Sequence, residues 1–210
     1  MNDQDRKLLG DEKRAVILQA ALKEFAEQGY DKASTNQITQ NAGVSKGLLF
    51  HYFGNKKQLY LKTLDMCLNQ YLISMDRTLD SISDDIFQRI IDINLIKLEI
   101  LTNEPIMHEI VTQAFLHPCE EVKLETQARQ QMIEQRYLPY LTDEIDTSFF
   151  RKDIESDRLI KYIVFVVNSL GEKYIQAYKA ANYQYPNIIR DFIEELDEYV
   201  DIIKYGVCQW

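Results

Sequence analysis

The chain has 210 residues, 46% of them hydrophobic, with a net charge of −9. That length supports a sizeable core, in one large domain or in a small domain joined to a larger one, and it excludes wholesale disorder. No apolar run approaches the ~20 residues that span a bilayer. The first residues lack the basic-then-apolar order of a signal peptide, and the isolated Cys67, Cys119 and Cys208 read as reduced thiols in a cytoplasm.

Residues 1–10 are polar and aperiodic, and a disordered arm is expected there. From residue 11 the pattern is helical nearly throughout. The first of four prolines is Pro105, and there is no Asn-Gly or Asp-Gly hairpin signal. The first helix is expected over 11–28, with Ile17, Leu18, Ala21, Leu22 and Phe25 on its apolar stripe and Gly29 as its stop. A short second helix follows Ser34, which with Gln37 forms a capping box. Thr35, Ile38, Thr39 and Ala42 share its inner face, and Gly43 ends it. Ser45 caps a third helix that runs to Phe53. Asn55 caps a long fourth helix carrying Leu61, Leu64, Leu68, Met75 and Leu79 at helical spacing.

Helices are expected next over 84–102, from Pro105 to about 116, and from Pro118 to about 137. An irregular stretch should cover 139–152. Two long helices, 153–182 and 186–207, close the chain. The first of these is apolar on more than one face, and the second repeats Phe192, Leu196, Tyr199 and Ile203 at nearly heptad spacing. One face of each is expected to meet the chain's own core and another a second subunit. Val164, Val167, Asn168, Phe192, Leu196, Tyr199 and Ile203 are the residues assigned to that contact, with Asn168 hydrogen-bonding across it.

The acidic balance is unevenly spread. Residues 1–60 carry nine Lys/Arg against seven Asp/Glu, whereas residues 61–210 carry fifteen against twenty-six. No acid occurs between Asp31 and Asp65, where about five would fall at the chain's overall frequency, while Lys32, Lys46, Lys56, Lys57 and Lys62 all lie in the gap. A surface facing phosphates accounts for that gap. Two short capped helices joined by a glycine-containing turn within it make a helix-turn-helix, whose second helix enters the major groove. On that helix Leu49, Phe50 and Phe53 face inward with Val44, which leaves Lys46, Gly47, Leu48, His51 and Tyr52 elsewhere. Gly47 permits close backbone approach, Leu48 suits a thymine methyl, and His51 suits a base or phosphate. Tyr52, Lys56 and Lys57 suit phosphates, with Lys56 preferred to Lys57, which reads as a solvated neighbour.

The stretch "FAEQGYDKASTNQITQNAGVSKGLLFHYFGNKKQLY", residues 25–60, resembles the TetR family of bacterial transcriptional regulators. The resemblance is carried by the Gly-Tyr after the first helix, Ala-Gly-Val-Ser-x-Gly, the aromatic-His-Tyr-Phe run and the lysine beyond it. It covers under a third of the chain. It implies an all-α fold, with a three-helix DNA-binding domain over 11–57 and a larger helical bundle over 58–210 that binds a small molecule and dimerises. It matches Ser34, Thr35, Lys46, Gly47, Leu48, His51, Tyr52 and Lys56 to positions that touch DNA. The implied partners are palindromic double-stranded operator DNA, a small-molecule effector and a second copy of the chain, with no membrane, and repression is the family's habit. Thr39, Phe50 and Leu48 depart from the family's usual residues, the first two at buried positions.

Other classes are weaker. No phosphate loop, paired metal ligands or histidine-nucleophile motif supports an enzyme, so no catalytic residue, metal or cofactor is expected. A non-enzymatic helical module that binds another protein through the apolar helices would be favoured by a monomer with those faces exposed, and a stable dimer burying them favours the regulator. Asn94, Asn168 and Glu172 are polar residues inside strongly apolar helices, and a buried polar group needs a partner. The effector's identity and the residues that would hold it are not readable.

Overall fold

The computed structural model describes residues 3–79, 83, 85–142 and 145–207, with side chains over 10–77, 83, 85–140 and 145–206. The chain is all-helical, with nine helices among the described residues: α1 Asp3–Lys32, α2 Thr35–Ala42, α3 Lys46–Phe53, α4 Lys56–Leu79, α5 Ile86–Asn103, α6 Pro105–Leu116, α7 Lys123–Thr142, α8 Ser156–Ala180 and α9 Ile188–Val207. They form two compact units. One takes the residues up to Tyr71 together with Ile106–Ile133. The other takes Leu72–Pro105 and the residues from Glu134 onward. This division differs from a boundary at 57/58, because α6 and the first turns of α7 pack into the same core as the helix-turn-helix.

That first core is built on Phe25 of α1. Ile17, Ala21 and Leu22 extend it along one stripe, Ile38 and Leu49 enter from α2 and α3, and Leu59, Tyr60 and Leu64 line it from α4. Ile110, Val111 and Ala114 of α6 and Val122 close it. The rings of Phe25, Tyr30 and Tyr60 meet with centroids 5.0–6.4 Å apart, two of the three contacts edge-on. Gly29 stands at φ 69°, a left-handed conformation that breaks α1 before its last residues. α1 begins at Asp3, so the arm expected over 1–10 is helical from that residue.

The second core lies among α5, α8 and α9. Ile90, Leu98 and Leu101 meet Ile163, Val167 and Leu170, with Phe192, Leu196 and Ile203 on the other side and Phe150 below them in the chain. α5 and α8 pack tightly at Asn94 and Gly171, where a Cβ added to Gly171 would collide with Oδ1 of Asn94. The buried Arg89 donates to the carbonyls of Ser83 and Tyr140.

Most helix limits fall within a few residues of expectation. Besides the early start of α1, the exception is the stretch after Pro118, where turns replace the expected helix start and α7 begins only at Lys123. Here Val122 N–H bonds Cys119 O, and Tyr30 Oη donates to Glu121 at 2.6 Å, which fixes the turn against α1. α7 also continues past Pro139 to Thr142, beyond the residue expected to begin an irregular stretch. Between α8 and α9 the "NYQYP" break holds Asn182 and Tyr183 at positive φ, 51° and 59°. Cys67 and Cys119 are free thiols; Cys208 lies outside the described residues.

Candidate nucleic-acid interface

α2 and α3 are joined by Gly43, Val44 and Ser45. Gly43 adopts φ 64°, ψ 31°, and its N–H closes on Gln40 O, an αL cap that suits glycine. Ser45 then accepts from Leu48 N–H at 3.2 Å and starts α3, and Asn55 accepts from Gln58 N–H at 2.8 Å and starts α4. At α2 the cap is only half as expected. Ser34 Oγ accepts from Gln37 N–H, but Ser34 N–H is taken by the buried Glu24 Oε1 of α1 at 2.8 Å, and the Gln37 amide turns to Asn41. A carboxylate from another helix thus replaces the return half of the capping box.

α3 presents the expected face except at Tyr52, which also packs against the core because its ring is covered from α1. Leu49 is fully buried, and Val44, Phe50 and Phe53 pack against the same core. Lys46, Gly47 and His51 are exposed; Leu48 and Tyr52 are half-buried. An added Cβ on Gly47 would meet no atom closer than Ser45 Oγ at 4.0 Å, so nothing inside the chain requires glycine there. Lys46 Nζ lies 5.8 Å from the Phe50 ring centroid, and the His51 and Tyr52 rings are 5.5 Å apart. Ser34 and Thr35 sit half-buried at the start of α2.

The two lysines that open α4 differ. Lys56 lies over the Tyr30 ring at 4.9 Å and donates to Asp31 O at 3.0 Å. Lys57 is bound to Glu125 Oε1 at 2.7 Å and to Glu121 O at 2.8 Å, so it is an ion-paired side chain rather than a solvated one. The hydrogen bond from Lys57 holds the Glu125 carboxyl below its usual range. Sequence reading missed Arg14, whose guanidinium stands over the Tyr52 ring at 5.0 Å. A further sign of that packing is Gly10, where a Cβ would come within 3.6 Å of Tyr52 Oη. The periodicity of α1 carried the only hint, since positions 10 and 14 share a face.

Four of the seven residues assigned to a subunit contact are taken up by the second unit's own core. Val167, Phe192, Leu196 and Ile203 are all buried there, so the near-heptad seam of α9 packs on the chain itself. Val164, Asn168 and Tyr199 retain access. The large apolar side chains left outside are others, notably Tyr162, Phe165 (70% exposed), Ile202 and Tyr205 (75%). Asn168 Oδ1 accepts from Lys97 and Asn94 of the same chain. Glu172 is exposed, so of the three flagged polar residues only Asn94 is fully buried.

Among the described residues no group of three or more His, Cys, Asp or Glu is placed to hold a metal, and no helix is long and apolar enough to cross a membrane.

Residues 17–63 match the family model of bacterial regulatory proteins, tetR family. The chain is 38% identical over 79 residues to the HTH-type transcriptional regulator HbdR of Aromatoleum sp. (strain CIB), a stretch that spans 38% of this chain and 34% of that one. It is 26% identical over 168 residues to the HTH-type transcriptional repressor AcnR of Corynebacterium jeikeium (strain K411), covering 76% and 79% of the two chains. The chain therefore spans about a third of the length of HbdR but most of AcnR. The fold is similar to a crystal structure of a TetR family transcriptional regulator from Chloroflexus aurantiacus J-10-FL, with TM-score 0.62, 21% identity and 95% of each chain covered.

Proposed function

We propose that the chain, whose residues 17–63 match the tetR family model, is a cytoplasmic, homodimeric repressor of that family that binds palindromic operator DNA and is released by a small molecule. One observation carries the reading: α3 offers an exposed face of Lys46, Gly47 and His51 in a segment with no carboxylate between Asp31 and Asp65. Two capped helix starts, at Ser45 and Asn55, flank that face and present free N–H groups to phosphates.

In this reading the backbone at Gly47 approaches the duplex and Leu48 and His51 read base edges. Lys46, Tyr52 and Lys56 set register on phosphates, with Ser34 and Thr35 contributing from α2. Arg14 joins this set through its seat on the Tyr52 ring. Two copies would place their α3 helices in half-sites about 10 bp, or a multiple of it, apart. The dimer is formed by the outer faces of α8 and α9, where Tyr162, Phe165, Ile202 and Tyr205 are exposed. Residues 11–57 hold the reading function and the later helices hold the dimer and effector functions. α4 supplies residues to both compact units and so offers a covalent route between them. An effector that prefers one dimer state by roughly 1–3 kcal/mol changes operator affinity 5–150-fold. The repressor assignment follows AcnR, which bears that description.

The test is binding to the DNA upstream of the protein's own gene, measured by footprinting and titration across a salt series. Protected half-sites related by a twofold axis, with affinity falling steeply as salt rises, are expected. A chain indifferent to duplex at low salt overturns the reading.

A further inference from the structure

Tyr30 belongs to the Gly-Tyr pair that helps to carry the family resemblance, yet it has no part in the exposed face of α3. It is buried, and its ring packs against Phe25 and Tyr60. The same ring carries the Lys56 ammonium, 4.9 Å from its centroid, within the range of a cation–π contact. That ammonium also donates to Asp31 O at 3.0 Å. Asp31 O is one of the last carbonyls of α1, where no further turn donates to it and the helix end favours a cation. Lys56 is half-buried at the start of α4. Of the three donors on its ammonium, one goes to Asp31, which leaves the others for a partner outside the chain.

Both residues that seat Lys56 are gripped by the turn between α6 and α7. Tyr30 Oη donates to Glu121 Oε1 at 2.6 Å, and Cys119 Sγ donates to Asp31 Oδ1 at 2.9 Å. On α6, Gln113 Nε2 donates to Ala26 O at 3.0 Å, which ties the same end of α1 once more. Burial and the Glu121 carboxylate push the Tyr30 hydroxyl up in pKa, so it stays protonated and keeps donating at neutral pH. A phenol that donates to a carboxylate is polarised toward phenolate, and its ring then holds a cation more firmly.

Resting on the regulator reading, we propose that Tyr30 is a positioning residue for the phosphate contact of Lys56, and that Glu121 and Cys119 hold its seat in place. A lysine free in solvent loses rotamer freedom when it meets a phosphate. Lys56 loses part of that freedom on folding, so the contact costs less when the duplex arrives. Lys57 shows the other outcome of the same turn, because Glu121 O and Glu125 take its ammonium. The α6–α7 turn thereby offers one of the two lysines that open α4 and withholds the other.

The test is a double-mutant cycle on the full chain, read as operator affinity across a salt series. Tyr30→Leu should weaken binding about two- to fivefold, the loss of one exposed cation–π contact. The salt slope should stay at the wild-type value, because the Lys56 charge is still delivered. Lys56→Ala should shrink that slope by about 0.9, and adding Tyr30→Leu to it should change affinity no further. A Tyr30 that serves only the fold would weaken both backgrounds equally, and that result overturns the proposal, as does a Tyr30→Leu chain that binds like wild type. Should Tyr30→Leu fail to fold, Tyr30→Phe, which keeps the ring and severs the Glu121 bond, takes its place in the cycle. A smaller loss is then expected, and the same two results overturn the proposal. A wild-type chain that ignores the duplex overturns the regulator reading and this inference with it. Salt-dependent operator binding with an additive cycle overturns this inference alone.

Discussion

The two compact units carry their decisive cations in opposite ways. On the first, Lys46 stands exposed on α3, beside a glycine with open space around it, in a stretch free of carboxylates. In the second, Lys97 is half-buried at the α5–α8 contact and bonded to an asparagine. An exposed lysine costs the fold almost nothing and is available to any phosphate that approaches. A lysine drawn into a helix contact gives up solvation that its partners there must replace. The difference teaches that the first unit leaves its cation open to an outside partner, whereas the second spends it on the contact between its own helices.

The comparison can be broken most sharply by reversing the exposed charge. Lys46→Glu should lower operator affinity by about a hundredfold, ~2.7 kcal/mol, because a phosphate contact is replaced by repulsion. Its unfolding free energy should stay within about 0.5 kcal/mol of wild type, as for other surface substitutions. Chemical denaturation and a DNA titration on the same sample check both halves. A large loss of stability would mean that Lys46 belongs to the fold rather than to the interface. Next in size is Gly171→Ala, which forces Asn94 from its place in the α5–α8 contact. It should destabilise the chain by about 1–3 kcal/mol in a urea melt.

How much of this was legible depends on how far each signal reaches along the chain. Ser45 and Leu48, Asn55 and Gln58, and Gly43 act over a few residues, and the sequence reading of α2, α3 and the start of α4 agrees with the structure almost to the residue. The same local logic overreached at Ser34, where Glu24 from ten residues earlier completes the cap. Lys57 looked solvated because its partners, Glu121 and Glu125, lie far along the chain. The seam of α9 was read at the correct spacing, but spacing names a buried stripe without naming what buries it. Phe192, Leu196 and Ile203 meet α5 and α8 instead of a partner. Lys97, in "NLIKLEI", reads as an ordinary outward lysine until α8 is laid against it. Arg14 was missed for the same reason, since the periodicity of α1 sets its face but only folding brings that face to Tyr52.

Gly47→Ala sharpens the comparison at a single atom. Within the chain the added methyl has room, and alanine is favoured over glycine inside a helix by about 1 kcal/mol. The variant should therefore melt higher, yet bind the operator more weakly, because the methyl stands where the duplex backbone must come close. Stability and binding moving in opposite directions is the signature of a residue kept for an external partner. If both rise together, Gly47 is not at the interface, and α3 enters the groove by another face.

The smallest expected effects concern the two lysines that open α4, and they should differ in sign. Lys56→Ala removes a phosphate contact, so the slope of log affinity against log salt should shrink by about 0.9 and binding should weaken uniformly across sequences. Glu125→Gln takes away the carboxylate that holds Lys57 and leaves the Glu121 carbonyl as a weaker, uncharged partner. Lys57 is then free to turn to the duplex, and the salt slope should grow, by at most the same amount. The Lys57–Glu125 pair is partly exposed, with side chains 29% and 36% accessible, so the thermal midpoint should barely move. Since the Glu125 carboxyl is held below its usual range, the wild-type pair persists above the unfolded carboxyl's pKa and is lost only as pH falls through the lower folded value. At neutral pH the wild-type slope therefore reports Lys56 without Lys57. A Glu125→Gln slope identical to wild type would show that Lys57 cannot reach the duplex even when released.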